Sequence, residues 1–228
     1  MSTWGCRQLK KEVLKLLEQT DVDAAMQAIS QLPARQVVNP LFSFLYHREE
    51  LIKWRSVTAM GIVVSKLAEN NLESARIVMR RFMWNLNDES GGIGWGSPEA
   101  MGEIMAQHPG LAEEFHSILI SYIRPDQNYL EHEILQRGVL WGIGRLAHAR
   151  PHLMQSAASH LIPYLNAKDP FLRGTAAWAA RAIEWETTPK ALLGLAGDES
   201  TLVIYSNYAI KATTVGQLAA GDITAFCK

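Results

Sequence analysis

Residues 169–180 read DPFLRGTAAWAA, and the way this stretch is read decides the fold. Asp169-Pro170 marks a helix boundary, because proline fixes φ and brings no N–H donor. The rest is small and apolar, with no strand-like alternation. Upstream, Arg173, Gly174 and Arg181 recur as Arg137, Gly138 and Arg145 within residues 137–147, RGVLWGIGRLA, at an offset of 36. A second pattern, W-x-S-x-x-A-M-G, occurs at residues 54–61 (WRSVTAMG) and 95–102 (WGSPEAMG), at an offset of 41. The two patterns register with each other: placing Gly102 on Gly144, an offset of 42, puts Trp95 on Arg137. Offsets near 40 that vary by a few residues are the mark of helical-pair repeats whose turns differ in length.

Local patterning agrees. Cys6, Leu9, Val13, Leu16 and Leu17 follow the three-and-four spacing of one buried helix face. Helices are expected over 6–18, 22–31, 35–46, 49–68, 72–87, 97–107, 110–123, 129–148, 151–166, 170–184, 188–196 and 200–213, with a last short piece at 215–225. No convincing alternating run and no Asn-Gly hairpin turn stands out. The expectation is an all-α chain, a right-handed α-α superhelix of about five to six helical-pair repeats. One domain spans 1–228, with an N-terminal cap at 1–32, repeats at 33–213 and a C-terminal cap at 214–228.

Residues 169–180 and 133–144 (EILQRGVLWGIG) carry a resemblance. They resemble the second helix of HEAT-like repeats, in which an acidic turn precedes V-R-x-x-A-A-x-A-L-G. Asp169 stands four residues before Arg173 and Glu133 four before Arg137, the order that suits an i,i+4 ion pair. The chain is similar to the HEAT-like repeats of bilin lyases and of many bacterial scaffold proteins. RRFMWNLNDESGGIGWGSPEAMGEI, residues 80–104, resembles the signature of a small uncharacterised family of bacterial HEAT-repeat proteins. The resemblance implies a fold more forcefully than a job. Deoxyhypusine hydroxylase shares the architecture but needs several His-Glu pairs for two irons, and this chain has only His132-Glu133. HEAT-like alkylpurine DNA glycosylases use tryptophans, an aspartate and arginines in a basic groove. Seven tryptophans and the repeat arginines are present here, but the basic surplus is not, and their catalytic aspartate aligns with no residue of this chain.

Composition narrows the classes. The formal net charge is −1, which speaks against nucleic acid as a partner. The two cysteines, Cys6 and Cys227, form no CxxC pair, so a reducing compartment is expected. With neither an apolar leader nor a membrane-length apolar run, the expected location is cytoplasmic, without a membrane partner.

Residues 85–98, NLNDESGGIGWGSP, break the repeat pattern with four glycines. The G-I-G-W-G run at 92–96 follows a helix, which is the wrong setting and spacing for a dinucleotide fingerprint. No lysine is near for a P-loop. Counted from Asp88, a calcium loop puts Ile93 where a glycine must turn. The plainer reading makes Ser97 the N-cap, Pro98 the first helical residue and Glu99 a partner of the helix dipole. By register, this repeat's second helix has lost its first turn to glycines. The loop then lies at one edge of the solenoid, beside the face that the second helices form, and Trp95 is poorly covered by its glycine neighbours.

Asp88, Glu89, Glu99 and Glu103 are candidates for cation binding or acid–base work, against a solvated face as the bland alternative. Glu99 aligns with Trp141, and Glu103 with Arg145 and Arg181; if those positions face the concave surface, acid, tryptophan and arginine would alternate along one groove. Arg137 and Arg173 are expected in an inter-repeat ladder with acids such as Glu133 and Asp169. No histidine, cysteine or carboxylate spacing forms a metal set, and neither a metal nor a cofactor is expected. The candidate binding residues are therefore Asp88, Glu89, Trp95, Glu99, Glu103, Trp141, Arg145 and Arg181. The reading is a non-catalytic scaffold that holds a protein or peptide partner on its concave face and the 85–98 loop. The alternative is an enzyme or enzyme accessory, akin to bilin lyases or DNA glycosylases, that binds a small anionic or aromatic ligand.

Overall fold

A computed structural model describes residues 5–87, 94–183 and 188–221. The helices are α1 (Cys6–Leu17), α2 (Val22–Gln31), α3 (Ala34–Phe44), α4 (Glu50–Asn70), α5 (Leu72–Asn87), α6 (Ser97–Gln107), α7 (Pro109–Ser121), α8 (Glu133–Ala149), α9 (Ala158–Leu165), α10 (Pro170–Arg181), α11 (Thr188–Leu193) and α12 (Val215–Ala220). Strands β1 (Thr201–Ser206) and β2 (Ala209–Thr214) lie between α11 and α12.

The helices sort into two rows by how they are buried. In the outer row, α5 hides one face, with Ala75, Val78, Met79, Phe82 and Leu86 at helical spacing. The inner row is different: α6 is buried from Ser97 through Ala106, and α10 from Gly174 through Ala180. A helix buried all round needs neighbours on every side. Each inner helix packs on the next, α4 on α6, α6 on α8 and α8 on α10, with α3, α5, α7 and α9 behind them. This is the all-α solenoid of stacked helical pairs that the sequence offsets imply. Small residues set its closest approach. A Cβ on Gly102 of α6 would come 2.4 Å from the Gly142 Cα of α8, so the two backbones touch directly.

Arginines tie successive repeats together. Arg137 reaches both Glu133, on its own helix, at 2.7 Å and Asp169, ahead of α10, at 2.9 Å. Asp169 therefore does not pair with Arg173 as its i,i+4 spacing suggested. It caps α10 by accepting from the Phe171 N–H at 3.0 Å and turns its other oxygen to Arg137. Arg173 instead pairs with Asp198 at 2.7 Å and holds that carboxyl at about 2, below its ordinary range. Arg55, buried in α4, donates to the carbonyls of Leu17 and Gln19.

The helix expected over 200–213 is instead an antiparallel hairpin, with Ser206 paired to Ala209 and Thr201 to Thr214. Thr201, Val203, Ile204 and Tyr205 dominate β1, and Ile210, Thr213 and Thr214 make up half of β2, which favours a pleated ribbon. The turn residues Asn207 and Tyr208 have φ of 47° and 60°, the left-handed pair of a tight hairpin turn. Its sequence is Asn-Tyr rather than Asn-Gly, which hid it. Start signals also moved at α6. The helix begins at Ser97, so Gly96, at φ 74°, occupies the N-cap position without a side-chain cap, and the Ser97 hydroxyl is buried without a partner. Pro98 sits in the first turn as expected. α6 has 11 residues against 21 in α4, 17 in α8 and 12 in α10.

Candidate functional site

The hairpin lies across the inner row and divides its face in two. Tyr205 stacks on Trp54 of α4, with centroids 5.0 Å apart and planes 10° from parallel. Its hydroxyl shares a 2.9 Å hydrogen bond with Thr58, and its carbonyl accepts from the Trp141 indole of α8 at 3.2 Å. Burial pushes the Tyr205 phenol above its ordinary range. Cavities open on both sides of this ring.

The larger cavity, about 1010 Å³, lies under the hairpin tip. It draws Thr58 and Ile62 from α4, Glu103 and Gln107 from α6, Trp141, Arg145 and His148 from α8, and Trp178 from α10, and residues 205–208 form the roof. Glu103 is only 5% exposed, and both its oxygens are engaged. Arg145 donates to them through Nε at 2.7 Å and Nη2 at 3.3 Å, and Gln107 adds a 2.6 Å bond. His148 stacks on Trp178 at 4.9 Å, its Nε2 is 3.1 Å from the Trp178 carbonyl, and burial pushes its pKa down. The walls are aromatic, and Glu103, Arg145, Gln107 and His148 are each engaged by protein groups, while the buried Trp178 indole N–H has no partner among the described residues.

The smaller cavity, about 270 Å³, lies beyond Tyr205. Lys53 and Trp54 of α4, Glu99 of α6, Arg137 and Gly138 of α8, and Phe171 of α10 enclose it, with Val203 and Ile210 at the hairpin side. Glu99 is 4% exposed, and burial raises its pKa despite the nearby Lys53 ammonium. The Lys53 Nζ stands 3.8 Å from Glu99 Oε1, and Oε2 has no hydrogen-bond partner.

Of the residues singled out from the sequence, Glu103, Trp141 and Arg145 meet in the larger cavity and Glu99 in the smaller. The alternative of a solvated face for Glu99 and Glu103 is overturned, because α6 is enclosed by α4, α8 and the outer row. Arg181 joins neither cavity; it is exposed and donates to the Ala219 carbonyl at 3.3 Å. Trp95 is 40% exposed and lines neither cavity. Asp88 and Glu89 lie outside the described residues. Sequence reasoning missed Tyr205, Thr58 and Lys53. The tyrosine was hidden by the helical reading of 200–213, although the run TLVIYS carried strand chemistry.

Among the described residues, no group of three or more His, Cys, Asp or Glu side chains is placed to hold a metal ion, and no helix is long and apolar enough to cross a membrane. No family model matches the chain. A stretch of 107 residues, 47% of this chain, is 32% identical to an uncharacterized protein of Archaeoglobus fulgidus, and the match spans 52% of that relative's length. Solved structures define the class of fold. A designed armadillo repeat protein in complex with the peptide (KR)4 aligns at a TM-score of 0.52 and 17% identity, covering 96% of this chain and all of that one. A second designed armadillo repeat protein aligns at 0.52 and 15% identity with the same coverage. An engineered protein aligns at 0.51 and 13% identity, covering 95% of this chain and 98% of that one. The chain has an armadillo/HEAT-like repeat fold.

Proposed function

We propose that this protein is a non-catalytic binding scaffold that holds a peptide segment of a partner in the larger cavity of its inner face. The observation that carries the reading is the cavity's make-up. Tryptophan and tyrosine walls supply contact area, while Glu103, Arg145, Gln107 and His148 are fixed by one another or by backbone. Groups so committed recognise a ligand better than they shuttle protons. About 1010 Å³ stands at the upper end of small-molecule pockets and has room for several side chains. The complex of a structural neighbour with the peptide (KR)4 supports a peptide as the kind of partner. In this reading 1–228 acts as one unit, and the 85–98 loop with its exposed Trp95 extends the contact at the solenoid's edge. The likeness of residues 80–104 to a bacterial HEAT-repeat signature fits an intracellular scaffold of that company.

The test is selection of a random peptide library on the wild-type protein, followed by affinity measurement on two variants. Tyr208→Gly removes a roof ring while keeping the left-handed turn, and Ala149→Arg narrows the mouth. Selected peptides should lose about tenfold or more in affinity on each variant. Peptides that bind both variants as tightly as wild type sink the proposal.

A further inference from the structure

The smaller cavity has a chemistry of its own. Glu99 is a buried acceptor with one oxygen unpartnered, and its carboxyl lies between Lys53 and Gly138, both of which line the cavity. Gly138 makes the room: a Cβ there would stand 2.5 Å from Glu99 Oε2. The Lys53 Nζ is held 5.5 Å over the Trp54 ring and makes no hydrogen bond to the described residues. So an acceptor and a donor face one cavity without meeting, beside Glu50 and an Arg137 already engaged by Glu133 and Asp169. A buried carboxyl oxygen left in this way is costly unless something completes it. At 3.8 Å, Nζ and Oε1 are too far apart for a hydrogen bond, yet close enough for one planar group to reach both.

We propose that the smaller cavity is a carboxamide subsite, in which Lys53 donates to the amide oxygen and Glu99 accepts from the amide N–H. A carboxylate would bring a second acceptor to Glu99, and an ammonium a second cation to Lys53; the planar amide carries a donor and an acceptor on two separate atoms, side by side. The walls suit an apolar stem, with Trp54 and Phe171 inside and Val203, 51% exposed, at the rim. About 270 Å³ fits a single residue. The source is either a glutamine or asparagine side chain or a main-chain amide of the bound segment. The subsite rests on the peptide-scaffold reading, but its test does not involve the larger cavity.

The experiment titrates the full-length protein with N-acetylglutamine methylamide and with its glutamate, lysine and norleucine counterparts. The readouts are the Trp54 indole and Gly138 amide resonances. The glutamine probe should shift both and bind about tenfold less tightly to Lys53→Met, the loss of one charge-assisted hydrogen bond. Glu99→Leu, the second variant, should weaken it likewise. If norleucine binds equally well and with the same Lys53 dependence, the main-chain amide is the group held. The proposal is overturned if the glutamine probe shifts neither resonance, if the glutamate or lysine probe binds most tightly, or if Lys53→Met, melting like wild type, binds the probe unchanged. A peptide selection that fails while the glutamine probe still binds would remove the scaffold reading and leave the subsite.

Discussion

Glu99 and Glu103 stand one helical turn apart on α6 and are buried almost equally, 4% and 5% exposed. Their surroundings diverge. Glu103 meets the Arg145 guanidinium and the Gln107 amide, so both oxygens are satisfied. Glu99 meets a bare glycine on α8 and an ammonium 3.8 Å away. In a stacked solenoid, what an inner-row side chain meets is decided by the neighbouring helix at the matching height. Arginine there makes the acid part of the frame. Glycine there leaves the acid with unfinished chemistry. The same contrast separates the carboxylates of the two cavities, one bound to an arginine and a glutamine and the other in an incomplete pair.

The change expected to disrupt the comparison most is Gly102→Ala. Its methyl would collide with the Gly142 backbone and push α6 from α8, removing the heights at which both acids find their surroundings. A loss of about 3 kcal/mol in denaturant-unfolding stability is expected. A near-neutral result would mean that the backbones can part without consequence. Glu103→Ala comes next. It strands a guanidinium that is one-third exposed, so solvent limits the loss to about 2 kcal/mol. An unchanged midpoint would show that the pair is no part of the frame. Tyr205→Phe tests the divider between the cavities. It deletes the bond to Thr58 while keeping the ring over Trp54, and about 1 kcal/mol should go.

The smallest effect, with the opposite sign, is expected for Glu99→Gln. Burial raises the folded-state pKa of Glu99 above its ordinary 4.5. Below that value folded and unfolded chains both hold the proton, and burial carries no ionisation penalty. As pH rises past it the unfolded chain ionises first, so Glu99 costs progressively more stability until the folded-state pKa is passed. The neutral amide has no such dependence. The melting temperature of the variant should therefore gain on wild type between pH 4 and pH 8. A constant difference across that range would count against a burial-raised Glu99 pKa.

Much of the fold was legible in the sequence. The W-x-S-x-x-A-M-G and R-G repeats found the inner row, because identical small residues recur where neighbouring backbones must approach closely. The alignment of Glu103 with Arg145 even held their contact, since equivalent positions on successive repeats are neighbours in a stack. The burial of both acids was not legible. Charge at helical spacing reads as surface when one helix is considered alone, and only the enclosure of α6 on all sides reverses it. The hairpin was missed because its two left-handed turn positions hold Asn207 and Tyr208 without a glycine. Without it the division of the inner face into two cavities had no source.

The hairpin also bears on how the chain folds. Repeats that touch only their neighbours form from local contacts and fray from either end. Here Tyr205 bonds Thr58 across 147 residues of sequence, and at the tip Tyr208 feels the Asp23 carboxylate of α2. The Trp54–Trp141 surface on which Tyr205 packs is complete only with α4 and α8 stacked, so the hairpin's contacts require those helices in place and close a long loop of chain. Once docked it works as a clasp, turning a row of neighbours into a loop whose two ends open together.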